Sequence, residues 1–151
     1  RSPSTARRMA RLIRNRLETL DAQGLALVAT GDSELCVQTL MVAAIRHSRL
    51  LRDFMRDVYA QDLRQLERHL SDRQWDAFLA DCEQQDAAVA RWTVSTRRKL
   101  FQVIVRILAE AKYLDSSKTM GLTPPLLHPR VRSYLFELGD LDTLQRMDYH
   151  Q

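Results

Sequence analysis

The chain has 151 residues, of which 45% are apolar and 28% charged, and it contains only four glycines and four prolines. This composition excludes a disordered chain, and the scarcity of turn-forming residues argues against a strand-rich fold. We therefore predict an all-α fold, a single compact multi-helix domain over residues 1–151. The longest uncharged apolar run, residues 35–45, is shorter than the roughly 20 residues that a membrane span needs, so no membrane association is expected.

Cysteine usage indicates a reducing compartment. Cys36 and Cys82 lie far apart in the sequence, each within a helical pattern and in no metal-like spacing. Free, buried thiols are therefore expected rather than a disulfide. No apolar stretch follows the first arginines, so no signal peptide is expected and the predicted location is the cytoplasm.

Apolar spacing predicts the helices of the first half of the chain. A first helix is expected to begin after Ser4 or Thr5 and to end near Leu20. Its apolar side holds Met9, Leu12, Ile13, Leu17 and Leu20. Residues 25–30, between two glycines, form either a helical turn or a connector. Asp32 or Ser33 is expected to cap a second long helix that breaks near Ser48.

The pattern then resumes through Leu66, and Ser71 with Asp72 begins another helix. Ser95 or Thr96 is expected to cap the strongest helix of the chain. Its core side is predicted to hold Leu100, Val103, Ile104, Ile107, Leu108 and Ala111.

Beyond residue 114 the sequence has the character of loops, with a small hairpin possible at residues 120–122. Pro129 suits the first position of a last long helix, and Gly139 its C-terminal cap. One or two further turns are expected at residues 141–147.

Two of the predicted helix starts resemble each other. Residues 4–9 (STARRM) and 95–100 (STRRKL) each join a capping pair to a basic cluster and an apolar stripe. Basic side chains at a helix N-terminus oppose the macrodipole, whereas a phosphate there satisfies guanidinium groups and free amides together. Of the 23 basic residues only three are lysine, and arginine binds phosphate through two parallel hydrogen bonds.

The acidic residues avoid both basic segments. No Asp or Glu occurs in residues 1–17 or 87–109, whereas acids gather at residues 72–86 and near the C-terminus. This segregation favours one face that binds a polyanion, although a solvated basic surface would produce the same pattern. We predict contact with the phosphates of duplex DNA by Arg7, Arg8, Arg11, Arg14, Arg97, Arg98 and Lys99.

Other residues favour structural roles. In the stripe of Arg46, Arg49, Arg52 and Arg56, intrahelical ion pairs with Asp53 and Asp57 are expected. The aromatic residues fall mainly on apolar faces and form no platform for single-stranded bases. The four histidines show no ligand spacing, and no phosphate loop or nucleophile motif occurs. We therefore expect no enzyme activity, no metal and no cofactor.

Several segments, in order, resemble the BrxA family, small proteins of bacterial BREX phage-defence operons. They are RSPSTARR (residues 1–8), RLETL (16–20), LLRDFM (50–55), STRRKL (95–100), LAEA (108–111) and LTPPLL (122–127). The resemblance implies an all-α fold similar to the antitermination factor NusB, a role in defence against phage DNA, and other BREX proteins as partners. It implies no catalytic residues. Family members usually carry a further helical segment before the Ser-Thr-Arg stretch, so an exposed apolar surface is expected here.

Alternative functions remain open. The basic face suits an acidic protein partner equally well, which would make the chain a scaffold for other defence components. RNA binding follows from the NusB resemblance alone. A winged-helix arrangement is a further alternative, with the helix from Ser95 followed by the hairpin and with Lys112 and Lys118 on the wing.

Overall fold

The computed structural model describes residues 3–150 and divides into two compact units. Unit 1 comprises the described residues up to Arg52 and from Leu126 onward, and unit 2 comprises Asp53–Pro125. All regular structure in the described residues is helical apart from two isolated bridges, so the predicted all-α class is confirmed.

Unit 1 is built from three N-terminal helices and two C-terminal ones. They are α1 (Pro3–Leu17), α2 (Ala22–Thr30), α3 (Ser33–His47), α9 (Pro129–Leu138) and α10 (Leu141–Met147). Helix α3 is the central element, since α1, α2, α9 and α10 all pack against it. Seven of the eight residues from Gln38 to Ile45 are buried, and Leu40 is the exception. The long apolar run is therefore a core helix, as its length indicated.

Helix α1 differs from its prediction at both ends. It already includes Pro3, a residue suited to the first helical position, so Ser4 and Thr5 lie inside the helix instead of capping it. It ends at Leu17, and the next three residues form a turn. Its apolar side is only partly covered, because Met9 is 45% exposed and Ile13 53% exposed.

The caps of the following helices explain where they begin. The carboxylate of Asp21 accepts from the backbone N–H of Gly24, so residues 25–30 belong to a capped helix, α2, and do not form a connector. Asp32 caps the start of α3 in the same way, as predicted. The helix ends before Ser48, where a break was expected. Gly139 ends α9 with φ of 73°, a conformation that glycine adopts without strain.

A polar cluster centred on Arg46 ties the helices of unit 1 together. Its guanidinium group donates to the Asp140 carboxylate (Nε–Oδ2 2.9 Å) and to the Thr19 carbonyl (3.0 Å), and lies over the Tyr134 ring. The Tyr134 hydroxyl in turn donates to Asp21 at 2.8 Å. The cluster therefore joins the turn after α1, the start of α2, and helices α3, α9 and α10 through charge-assisted hydrogen bonds.

The chain enters unit 2 within α4 (Arg49–Phe54). The remaining elements of unit 2 are a π-helical segment (Met55–Tyr59), α5 (Ala60–Arg64), α6 (Asp72–Gln85), α7 (Ala87–Ala90) and α8 (Val94–Glu110). Ser71 caps α6 through a capping box with Gln74, as its position before the apolar pattern predicted. Leu66 is not a core residue, because it follows the end of α5 with φ of 60° and is 86% exposed.

Aromatic side chains form the core of unit 2. Phe54 meets Phe78 edge-on at 5.4 Å between ring centroids, and Trp75 stacks on Phe101 at 5.1 Å. Each such pair contributes about 0.5–1.5 kcal/mol beyond the area that it buries. The buried Tyr59 hydroxyl donates to the Tyr113 carbonyl at 2.6 Å, which anchors the chain beyond α8 to the π-helical segment.

The predicted hairpin takes a minimal form. Leu114 and Leu122 form an antiparallel bridge, and His69 and Gly121 form a second one. The residues near Met120 therefore pair as expected, although no continuous strand develops in the part of the chain that the structure describes.

Asp62 gives a first prediction about stability. It is 3% exposed, its Oδ1 accepts from Gln74 at 2.6 Å, and its Oδ2 has no partner. Burial raises the pKa of this carboxyl, and nearby Glu67 adds to the increase. A raised pKa means that folding favours the protonated form, so stability is lost as the pH rises through it.

We expect Asp62→Asn to be more stable than wild type at neutral pH, with the difference shrinking on acidification. Urea unfolding at several pH values measures this, and a pH-independent difference would contradict it.

The Arg46 cluster gives a second prediction. Replacing Arg46 with Met leaves Asp140 and the Thr19 carbonyl without their donor, so we expect the free energy of unfolding to fall by about 2 kcal/mol. Burial alone would raise the pKa of Asp140, but hydrogen bonds from Thr143 and Arg46 outweigh it and lower the pKa. The wild-type protein therefore loses this stability as the pH falls through the lowered pKa, and the variant should lose less.

Chemical denaturation at neutral and acidic pH measures both effects. Arg130→Met, at an exposed side chain of the same unit, is the control and should stay within about 0.5 kcal/mol of wild type. Equal effects of the two substitutions would contradict the assigned role of Arg46.

Candidate nucleic-acid interface

Helix α1 presents a row of arginines to solvent. Arg7, Arg11 and Arg14 share one face at helical spacing, and Arg8 lies on its flank; all four are exposed. None of these side chains makes an ion pair or a side-chain hydrogen bond within residues 3–150, and α1 contains no acidic residue. The predicted residues of α1 are therefore brought together, and no carboxylate pairs with them within residues 3–150.

The position of these arginines corrects one part of the prediction. Because α1 begins at Pro3, Arg7 is its fifth residue and lies beyond the first turn. The backbone of Arg7 therefore lies about one turn beyond the amides that a helix N-terminus offers to an anion.

The cap of α8 also differs from its prediction. Thr93 caps the helix, since its hydroxyl accepts from the backbone N–H of Thr96 at 3.1 Å, and Ser95 and Thr96 lie in the first turn. The Thr93 carbonyl accepts from the backbone N–H of Arg97 at 3.0 Å. The Thr93 hydroxyl thus satisfies one of the first-turn amides, and the Arg97 amide makes the first bond within the helix, so the anion site predicted at this helix start stays a prediction.

Arg97 is a structural residue and does not belong to the predicted contact row. Its guanidinium group pairs with the Glu83 carboxylate and donates to the Val89 carbonyl (3.0 Å) and the Trp92 carbonyl (3.2 Å). These bonds connect α6, α7 and the segment before α8. A guanidinium group with three acceptors has little capacity left for phosphate, so these partners argue against the phosphate contact predicted for Arg97.

Arg98 and Lys99 remain candidates. Both are exposed on α8, and neither makes an ion pair or side-chain hydrogen bond in the described residues. Arg98 lines a groove of about 950 Å³ between α6 and α8, opposite Asp72 and Asp76. Lys99 lies 100° further around the helix, away from that acidic wall. The two clusters, on α1 and on α8, belong to different units.

Two arginines of the stripe, Arg46 and Arg56, make ion pairs within the protein, and only one of them has the predicted partners. Arg56 pairs with Asp53 and Asp57, as the helical spacing indicated. Arg46 instead pairs with Asp140, which lies 94 residues away and which no local pattern predicts.

The outer face of α8 holds residues that the sequence did not identify. Val103 was assigned to the core but is 39% exposed, and its neighbour Gln102 is exposed too, while Phe101 and Val105 take the core positions. In a helix of mixed polar and apolar residues, the spacing of the apolar residues fits two possible buried faces that differ by a small rotation about the helix axis. The buried direction here is set by contact with Trp75.

Further structural features bear on the expected class of protein. Cys36 and Cys82 are both half-buried, and neither forms a disulfide in the part of the chain that the structure describes. In the part of the chain that the structure describes, His, Cys, Asp and Glu side chains do not assemble into a group able to hold a metal ion. No helix within residues 3–150 combines the length and the apolarity that crossing a bilayer demands.

Comparison with known proteins gives a consistent result. The profile of the BrxA family matches residues 1–139. The chain is similar to the BREX protein BrxA of Paramagnetospirillum magneticum, with 38% identity over 137 residues, covering 91% of this chain and 69% of the relative. It is also similar to the BREX protein BrxA of Escherichia coli O9:H4, with 32% identity over 147 residues, covering 97% of this chain and 69% of the relative.

One solved structure shares the fold. A crystal structure of an uncharacterized protein from Magnetospirillum magneticum is similar with a TM-score of 0.83 and 34% sequence identity. The match covers 89% of this chain and 71% of that one. The chain therefore spans about two thirds of the length of the relatives that it matches.

The different surroundings of two neighbouring arginines give a third prediction. Arg97→Met removes the partner of Glu83 and of two carbonyls, so we expect the free energy of unfolding to fall by about 1–3 kcal/mol. Arg98→Met should change it by less than about 0.5 kcal/mol, because this side chain has no ion pair or hydrogen bond among the residues that the structure describes. Urea unfolding of both variants measures the difference, and equal losses would show that Arg97 is not a structural residue.

Proposed function

Since the chain belongs to the BrxA family, whose relatives are BREX proteins, we propose that it is a non-enzymatic accessory protein of a BREX phage-defence system and binds duplex DNA through its phosphates. The contact residues are Arg7, Arg8, Arg11 and Arg14 on α1, and Arg98 and Lys99 on α8. The proposed function implies a cytoplasmic location, because the DNA to be bound lies in the cytoplasm.

The row of exposed, unpaired arginines on α1 is the observation that carries this proposal. From Arg7 to Arg14 the helix rises about 10 Å, a length over which duplex DNA carries about six charges. Guanidinium groups held on one helical face, with no ion pair to them among the described residues, repel each other. A polyanion removes that repulsion and releases its own counterions, which favours binding.

Arg98 and Lys99 extend the same chemistry to unit 2. Each is exposed and unpaired, whereas the neighbouring Arg97 is held by Glu83. The separation of structural from exposed basic side chains within one turn supports a binding role for the exposed ones. A solvated surface has no need for arginine over lysine, and arginine is the residue suited to paired hydrogen bonds with phosphate.

A protein partner is the second candidate, and one observation favours it. Met9 and Ile13 are exposed on the side of α1 opposite the arginine row, and exposed apolar side chains on an arginine-rich element are typical of protein interfaces. In this case an acidic BREX protein would cover α1, and the chain would act as a scaffold. RNA binding rests on the resemblance to NusB alone.

The test is the salt dependence of affinity for a short mixed-sequence duplex. Each phosphate contact contributes about 0.9 to the slope of log affinity against log salt concentration. Replacing Arg7, Arg11 and Arg14 with Glu should therefore weaken binding and reduce the slope by about three. Fluorescence anisotropy at several salt concentrations measures both quantities.

A matched control separates a site from net charge. Replacing Arg64, Arg73 and Arg130 with Glu changes the charge equally at other exposed positions, and the slope should stay near that of wild type. Equal losses in the two triple variants would remove α1 from the site. Competition in which structured RNA displaces the duplex would favour RNA, and capture of other BREX proteins that survives nuclease treatment would favour the scaffold.

A further inference from the structure

A groove of about 950 Å³ runs between α6 and α8 within unit 2. The α6 wall contributes Asp72 and Asp76. On the α8 wall Val94, Arg98 and Gln102 follow each other at intervals of four residues, so they form one row along the groove. This row rises about 12 Å, roughly the length of three or four residues of an extended peptide. The groove therefore has the length of a site for a short segment of another chain.

The base of this groove is aromatic and firmly held. Trp75 and Phe101 are buried and stack there with 5.1 Å between their ring centroids. The Trp75 indole N–H also donates to the Arg97 carbonyl at 3.0 Å, which fixes the base to α8. Two further apolar residues are open to a ligand, because Trp92 is only half-buried and Val94 is 76% exposed. A side chain that covered them would remove apolar surface from water, which favours binding.

The α6 wall of the groove is acidic. Asp72 and Asp76 lie one turn apart on one side of the helix, and both are exposed. Neither makes an ion pair within the described residues, and Arg73, the cation between them in sequence, does not line the groove. Asp72 suits the first turn of a helix, whereas Asp76 lies beyond it and gains little from the macrodipole. Like charges one turn apart repel each other, so a cation bound between them is stabilising.

An arginine side chain matches both the aromatic and the acidic part of the groove. Its planar guanidinium group stacks on an indole such as that of Trp92 and donates to carboxylates through several N–H groups. The charge of Arg98 on the opposite wall directs such a cation to the α6 side. A phosphate, by contrast, would meet the two carboxylates of α6.

The α8 wall favours a peptide over a simple cation. The Gln102 amide is exposed and can donate to and accept from the backbone of an extended segment. Val94 offers apolar surface that a polyamine or an inorganic cation would leave uncovered. These two residues therefore suit a ligand that carries amide groups and an apolar side chain beside its positive charge.

We propose that this groove is the docking site for a short extended segment of a partner protein. An arginine of that segment pairs with Asp72 and Asp76 and stacks on Trp92, while a neighbouring apolar side chain covers Val94. The inference goes beyond the proposed DNA contact and does not depend on it, because the groove selects a positive charge and DNA contact needs a negative one.

The probe is a library of random seven-residue peptides, from which the wild-type protein selects its preferred sequences. We expect the selected peptides to share an arginine beside an apolar residue. The affinity of one selected peptide, labelled with a fluorophore, is then measured by anisotropy. Replacing both Asp72 and Asp76 with Asn should weaken binding about tenfold, because two charge-assisted hydrogen bonds are lost. Trp92→Leu should weaken it about fivefold through loss of the stacked guanidinium group.

A matched control removes the same charge elsewhere in unit 2. Asp81→Asn combined with Glu110→Gln changes two exposed carboxylates that do not line the groove, so peptide affinity should stay within about twofold of wild type. Thermal unfolding of all variants should match that of wild type, which verifies that the losses concern binding. Equal losses of affinity in the two double variants would overturn the proposal.

The selection and two further measurements can also contradict it. A selection that yields no peptide, or peptides that share no basic residue, is incompatible with this docking site. Displacement of the peptide by an equal concentration of spermidine or of structured RNA would show that the occupant is not a protein. Binding should also shift the tryptophan fluorescence, and a shift that persists in Trp92→Leu would place the peptide outside the groove, since Trp75 is 3% exposed.

Discussion

The contact between Trp75 and α8 determines what unit 2 presents to its surroundings. The stacked Phe101 ring and the hydrogen bond from the indole to the Arg97 carbonyl fix the rotation of α8 about its axis. A helix rotated by one residue would turn each side chain by 100° and bury part of its polar face. Because this rotation is fixed, Gln102 and Arg106 point outward and Ile104 and Leu108 inward.

Arginine has two distinct roles in this chain. Arg46 and Arg97 each join several elements, because one guanidinium group carries five donors in a fixed plane and can serve carboxylates and carbonyls together. Arg7 and Arg98 have no such partners and face solvent. A count of basic residues therefore overstates the charge available for binding, and only the partners of each side chain separate the two classes.

Helix α1 combines two surfaces that are usually kept apart. One face is a row of arginines, and the other retains exposed apolar side chains such as Met9 and Ile13. The first surface suits a polyanion and the second a protein, so the two candidate functions use different faces of one helix. Both can be fulfilled at once, since residues on opposite sides of a helix do not compete for one partner.

Local patterns in the sequence were sufficient for the helical class, for most helix positions, and for caps such as Asp32, Ser71 and Gly139, because these depend on residues within one turn. The clustering of Arg7, Arg11 and Arg14 followed from helical spacing in the same way. Tertiary structure decided the rest. The partner of Arg46 lies 94 residues away, Arg97 is satisfied from two other segments, and the outward direction of Gln102 follows from Trp75 on another helix. Spacing along a helix shows which residues share a face, but only packing determines which face is covered.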